Sequence, residues 1–205
     1  TATTEIYTLS LHDALPICQK SGVVHALDPD HEGKILWQTR IGKGGPLGGT
    51  EWGSAADQDR IYVANSDVRF LMDGSRRLNS SEGGGLFGLD LATGKIAMQV
   101  APVAYGDRPQ CSPALSAAVT AIPGVVFSGG VSGFLRAYAT DDAKLLWEFD
   151  TAREYTTVNG VPGHGGAMDG PGPVVVDGML YVNSGYAQWS GLPGNVLLAF
   201  EVGNP

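Results

Sequence analysis

Only two cysteines, Cys18 and Cys111, occur in this chain of 205 residues. With Cys18 set aside for a reason given below, Cys111 stands alone. One thiol makes no disulfide framework, so it does not report the redox compartment. Basic residues are also scarce, with 13 Lys and Arg against 21 Asp and Glu, a net charge of −8 and no basic run. That balance argues against nucleic acid as a partner. No apolar run reaches the length that crosses a bilayer, so no membrane-spanning helix is expected. What the chain has in plenty is glycine, 30 residues, together with 12 prolines. That composition suits many short strands joined by turns rather than helices.

The most informative feature is a repeated frame. Residues 88–98 read Gly-Leu-Asp-Leu-Ala-Thr-Gly-Lys-Ile-Ala-Met, and the same frame runs from Ala26 to Trp37 and from Ala137 to Trp147. It begins again at Ala199-Phe200-Glu201. A small residue opens each unit, an acid usually follows two places later, and then come a turn, a Lys and two apolar residues. The starts lie 62, 49 and 62 residues apart, so loops vary while the frame does not. The acid is suited to accept backbone N–H bonds in the turn, and Gly33 and Gly94 fall where a hairpin wants positive φ. Trp37 and Trp147 read as flat apolar slabs between sheets. The copies are imperfect: Met98 replaces Trp in the second, and Ala143 replaces Gly in the third.

Strand signals fit this frame. Strands are predicted at 23–27, 35–39, 51–56, 60–64, 86–91, 95–100, 116–121, 125–128, 133–139, 145–150, 172–176, 179–183 and 196–202. Asp177-Gly178 marks a hairpin turn. The run Val174-Val175-Val176 lacks alternation and reads as an inner strand buried on both faces. Gly-rich loops at 41–50, 66–85, 101–111 and 151–171 separate the strands. Four-stranded units with loops at matching places are propeller blades. The prediction is an all-β propeller fragment of about three to four four-stranded blades in an incomplete ring. It divides into a blade tail at 19–40, blades at 51–100 and 112–150, and a partial blade at 164–205.

Residues 1–17, TATTEIYTLSLHDALPI, resemble the conceptual translation of a sequencing-library adapter, with Cys18 as a hybrid codon. Residues 1–18 are therefore excluded from the predicted domain, which starts mid-protein, and the remainder carries a net charge of −6.

The frame ALD…GK.LW resembles the tryptophan-docking motif of propellers that bind pyrroloquinoline quinone (PQQ). The phrases SGVVHALDP, GGTEWGSAAD, SAAVTAIPGVVFSGG, FDTAREYTTVNGVPG and DGPGPVVVDGMLYVNSGY resemble, over residues 20–200, polyvinyl alcohol dehydrogenase-like quinoproteins. The resemblance implies a PQQ-type β-propeller that oxidises secondary alcohols with PQQ and Ca²⁺. It also implies a periplasmic or secreted location and electron transfer to cytochrome c. No Cys-x-x-Cys-His motif occurs, so a haem c domain would lie outside this fragment.

Alcohol oxidation by a quinone needs a cation on the quinone carbonyl, a base for the hydroxyl proton and a pocket for a flat anionic ring. The resemblance makes Glu51, in Gly48-Gly49-Thr50-Glu51-Trp52-Gly53, the Ca²⁺ ligand, with Gly49 and Thr50 touching the quinone. The alternative is an ordinary loop carboxylate. The family's catalytic Asp falls about eleven residues after a docking Trp, and counting from Trp147 lands near Val158-Asn159, with Asn159 the polar residue there. An amide is no base, though its oxygen could ligate Ca²⁺. Asp169 is the nearby carboxylate for the base role, or else an Asx-turn before Pro171. His164 is a third candidate, or an exposed loop side chain.

Arg153 could bind a cofactor carboxylate, or pair with Asp150. Trp52 could stack on the quinone or pack a blade, and Trp189 could line a substrate cleft or pack structurally. Asp67 and Arg69 receive no role. Two further functions compete with the dehydrogenase. One is a non-catalytic scaffold like the outer-membrane protein-assembly lipoprotein, which would turn Glu51 away from the central channel. The other is a polymer-binding module that lost activity, suggested by Asn159 in place of an acid.

Overall fold

The computed structural model describes residues 15–104, 108–186 and 189–203, and it is all-β apart from one short turn of 3₁₀ helix. Strands β1 (Leu15–Cys18), β2 (Val23–Asp28) and β3 (Lys34–Arg40) form the first antiparallel sheet. The second sheet is a meander of β4 (Ala55–Ala56), β5 (Arg60–Ala64), β6 (Leu86–Asp90) and β7 (Ile96–Val100). The third repeats it with β8 (Thr120–Ile122), β9 (Val125–Gly129), β10 (Phe134–Ala139) and β11 (Leu145–Asp150). A two-stranded hairpin, β12 (Glu154–Thr156) with β13 (Pro162–His164), precedes the last sheet of β14 (Val174–Val176), β15 (Met179–Ser184) and β16 (Val196–Glu201).

The repeated frame has one geometry. In three sheets the register slips at the same place, between Ala26 and Leu27, Gly88 and Leu89, and Ala137 and Tyr138. The bulge ejects Leu36, Ala97 and Leu146 and leaves the small residue directly opposite Trp37, Met98 or Trp147. A small residue is needed there: a Cβ on Gly88 would already lie 3.0 Å from Met98 Cβ and 3.3 Å from the Tyr62 ring.

Successive sheets pack face to face through these positions. Val24 and Ile41 bury against Ile61, Val63, Phe87 and Leu89, with Trp37 at the edge. Tyr62, Leu86 and Met98 meet Val119, Val126 and Tyr138. Leu135 and Trp147 meet Met168, Leu180 and Val182, and the Trp147 ring stands edge-on to Phe200 at 5.1 Å. The acids cap their turns as expected: Asp28 accepts the Asp30 N–H, and Asp90 accepts both the N–H and the hydroxyl of Thr93.

The structure departs from expectation in four places. Residues 51–54, 116–119 and 172–173 are not strand. Their backbone bonds run between units instead, Val119 N–H to Gly53 O and Ala118 N–H to Gly170 O. The loop predicted over 151–171 contains the β12–β13 hairpin. Residues 15–18, left outside the predicted domain, pair in register with β2. Finally, the strand expected to be buried on both faces has Val174 and Val176 about half exposed, because among the described residues only Val175 meets the core of its sheet.

Candidate functional site

The loops at one end of the sheets converge on a cleft lined by Leu47, Glu51, Ser66, Val68, Leu78, Ser116, Val131, Asp169 and Trp189. These residues come from connections around all four sheets. Val68, Leu78, Ala114, Val131 and Ala167 form an apolar floor, with Leu47 and Phe70 packed against it. The cleft leaves about 10 Å³ of free space, room for about one water. An ordinary ligand pocket holds about 300–1,000 Å³, so these residues make one wall of a site rather than a whole one.

Two carboxylates share this wall. The Glu51 side chain is 9% exposed, and its Oε1 lies 3.2 Å from Lys20 Nζ, which also donates to Pro46 O. Asp169, 5% exposed, comes from the segment between β13 and β14. Beside Glu51, Thr50 is buried and its hydroxyl, close to the Cys18 thiol, has no partner in hydrogen-bonding geometry. Ser66 and Ser116 hydroxyls bond each other at 2.9 Å within the same wall.

The Glu51 loop is held from below by Asp67. Its Oδ1 accepts the N–H groups of Gly44 (2.9 Å) and Gly49 (3.0 Å), and its Oδ2 those of Lys43 (2.7 Å) and the Asn65 amide (3.0 Å). Burial works to raise the Asp67 carboxyl, but these donors overcome it and hold the group below the usual aspartate range. Arg69, the other residue without a predicted role, donates to Gly44 O at 3.3 Å.

The remaining candidates lie elsewhere. Asn159 sits in the exposed tip of the β12–β13 hairpin, where its Oδ1 accepts from the Thr157 hydroxyl and the Val161 N–H. The count from Trp147 ends in this hairpin, which does not line the cleft. Arg153 is exposed and stacks over the Phe149 ring at 4.3 Å, while Asp150 pairs instead with Arg108 at 2.9 Å. His164 is half-buried, with Nε2 3.9 Å from Glu154. Trp52 is 44% exposed and lies near Gly170, as does Tyr186. Trp189 does reach the cleft, on a backbone with φ 51°.

Ser66 and Ser116, which line the cleft, and Lys20 and Asp67, which bond to its Glu51 loop, received no role from the sequence. A signal existed for two of them: a polar run, Asn65-Ser66-Asp67, directly follows a buried strand, as Asn183-Ser184 ends β15.

A calcium ion takes hard oxygen donors. Glu51 and Asp169 supply that chemistry on one wall. Among the described residues no three His, Cys, Asp or Glu cluster closely enough to form a complete site. The wall therefore fits part of a cation and quinone site.

Two four-stranded and two three-stranded antiparallel sheets, packed one on the next through a repeated tryptophan frame and gathering their loops at one cleft, define a PQQ-type β-propeller. The family model described as "Outer membrane protein assembly factor BamB" matches residues 20–162, and the chain belongs to this PQQ-type repeat family. Within it, the chain is polyvinyl alcohol dehydrogenase-like. It is 43% identical to a polyvinylalcohol dehydrogenase of a Pseudomonas species, over 90% of this chain and 29% of that protein. It is 37% identical to a polyvinylalcohol dehydrogenase of Sphingopyxis sp. strain 113P3, over 92% of this chain and 30% of that protein. The chain thus spans about three-tenths of the length of these curated relatives. The quinohemoprotein alcohol dehydrogenase of Comamonas testosteroni superposes with a TM-score of 0.57 at 17% identity, over 85% of this chain and 28% of that one, a likeness of fold. No helix among the described residues is long and apolar enough to cross a membrane.

Proposed function

We propose that this chain forms one wall of the cofactor site of a PQQ- and Ca²⁺-dependent alcohol dehydrogenase. The enzyme oxidises secondary alcohols such as polyvinyl alcohol and passes the electrons to cytochrome c, in the periplasm or outside the cell. The observation that carries the reading is the presence of Glu51 and Asp169 on one cleft wall, brought there from residues far apart in sequence. The relatives named above support the substrate class.

Oxidising a secondary alcohol to a ketone releases two electrons and two protons. When bound, the quinone supplies the two-electron acceptor and the cation polarises its carbonyl. The chain's own residues do the rest. Glu51 holds the cation, in place of the Lys20 ammonium that now meets its carboxylate. Gly49, at φ 70°, turns the backbone that leads to Glu51 and packs against Gln19 and Lys20. Asp169 takes the hydroxyl proton. Trp189 contributes an apolar face on the substrate side.

The test is reconstitution of the full-length protein with PQQ and Ca²⁺, followed by indole fluorescence and by dye reduction with polyvinyl alcohol. Reduction that requires both additions is the expected result. Failure to bind either one removes the reading.

A second reading, a non-catalytic scaffold of the outer-membrane assembly type, draws on the Lys20–Glu51 ion pair. An ammonium ion 3.2 Å from the carboxylate satisfies it without a metal. The same reconstitution separates the two, since a scaffold binds no quinone.

A further inference from the structure

We infer that Asp67 is the positioning residue of the cofactor loop: its carboxylate fixes Gly44 and Gly49 and so sets Glu51 on the cleft wall. The inference rests on the reading above for the role of Glu51.

The geometry is specific. The segment 43–51 has almost no regular structure and would be free to wander. Two of its amides, Gly44 and Gly49, point at the same oxygen, Asp67 Oδ1. Both belong to glycines at positive φ, 74° and 70°, that no other residue could replace. A Cβ on Gly44 would lie 2.5 Å from Ser21 O, and one on Gly49 2.3 Å from Gln19 O. A third amide, Lys43, goes to Oδ2. Asp67 itself adopts a left-handed backbone, φ 42°, a conformation that Asp tolerates better than most residues.

Its neighbours complete the frame. Ser66 N–H donates to Gly49 O at 2.8 Å, and Val68 N–H and the Ser66 hydroxyl both donate to Leu47 O. The loop is thus tied at both ends and in the middle, and Glu51 leaves it two residues after Gly49. A preformed carboxylate acceptor for three amides gives a site rigidity that a flexible glycine loop lacks.

The experiment uses the whole chain and its Asp67→Asn, Glu51→Gln and Asp73→Asn variants, the last a charge control in an exposed ion pair with Arg77. Hydrogen exchange is followed at the amides of Lys43, Gly44 and Gly49, and Ca²⁺ alone is titrated by calorimetry. The expected result is protection of these amides in the parent chain, loss of that protection in Asp67→Asn, and unchanged protection in Asp73→Asn. Ca²⁺ binding should weaken about tenfold in Asp67→Asn, the scale of a lost charged hydrogen bond. Rapid exchange in the parent chain overturns the inference even if Asp67→Asn fails to fold. So does unchanged Ca²⁺ affinity in a variant whose amides are released. If the parent chain binds no Ca²⁺, or Glu51→Gln binds it equally well, the metal role of Glu51 falls. The exchange data then still decide whether Asp67 sets the loop.

Discussion

Trp37 donates its indole N–H to the carbonyl oxygen of Leu91, 2.8 Å away, across the gap between the first and second sheets. The ring lies flat over Gly94, where a Cβ would fall 2.5 Å from the indole Cδ2 and Cε3 atoms, and Thr39 donates to Gly94 O beside it. Gly94 also has φ 69°. Glycine is therefore required twice, for backbone and for space. Gly94→Ala should cost about 3 kcal/mol, roughly half from the left-handed backbone and the rest from displacing the ring. Urea unfolding measures it; a loss below about 1 kcal/mol would mean that the indole is not docked there.

The second and third frames show the complementary arrangement. Met98 takes the place of Trp, and Ala143, at φ 62°, takes the place of the glycine and packs against the cluster containing Met98. A slim, flexible side chain leaves room for a methyl that an indole would not. Met98→Trp alone should therefore destabilise by about 1–3 kcal/mol through overpacking. Adding Ala143→Gly should recover about 1 kcal/mol or more beyond additivity. A double-mutant cycle with no coupling would refute this pairing.

The repeat was readable because it joins local turn chemistry to a fixed spacing. Asp177-Gly178, with φ 49° and 77°, is the turn its dipeptide announces, and Asp90 caps its turn as its frame position requires. Glu51 and Asp169, which line the cleft, could be singled out because each stands in a conspicuous glycine-rich phrase. Asp67 was not, since its partners at Lys43, Gly44 and Gly49 lie 18 to 24 residues away in a loop without periodicity. The common bulge at Leu36, Ala97 and Leu146 was hidden too, because pairing registers are set by the sheet as a whole. Asn159 lies off the cleft because the segment counted along doubles back as a hairpin.

Tyr62 gives the chain an alkaline limit. It is fully buried between the second and third sheets, and its hydroxyl donates to Asp57 Oδ2 at 2.6 Å. Burial, then the bond to Asp57 and that group's charge, push the phenol up to about 12. In the unfolded chain it ionises near 10. Between these values the unfolded state has lost the proton and the folded state keeps it, so stability falls as pH rises through that window. Tyr62→Phe should be less stable at neutral pH by about 1 kcal/mol. Its unfolding free energy should also fall less steeply than the parent's from about pH 10 to 12. Equal slopes in the two proteins would show that the hydroxyl does not carry the effect.

Glu51 and Asp169 face one cleft but should fail differently when neutralised in the reconstituted full-length enzyme. Glu51→Gln keeps the shape and removes the charge that competes for a cation. Activity should then be recovered only at higher Ca²⁺, with the requirement raised about tenfold or more. Asp169→Asn leaves that charge in place and removes the proposed proton acceptor. Ca²⁺ and quinone binding should stay within about twofold of the parent, while kcat falls by about 10²–10⁴, the range of general-base catalysis. Lys20→Ala adds a third arm: without its ammonium 3.2 Å away, Glu51 is freed for the metal and Ca²⁺ should bind more tightly at low salt. The parameters to measure are the Ca²⁺ half-saturation and kcat with a polymeric and a small secondary alcohol. If Asp169→Asn turned over at the parent rate, the base would have to be sought outside this wall. If Glu51→Gln kept the parent's Ca²⁺ requirement, the glutamate would be an ordinary partner of Lys20.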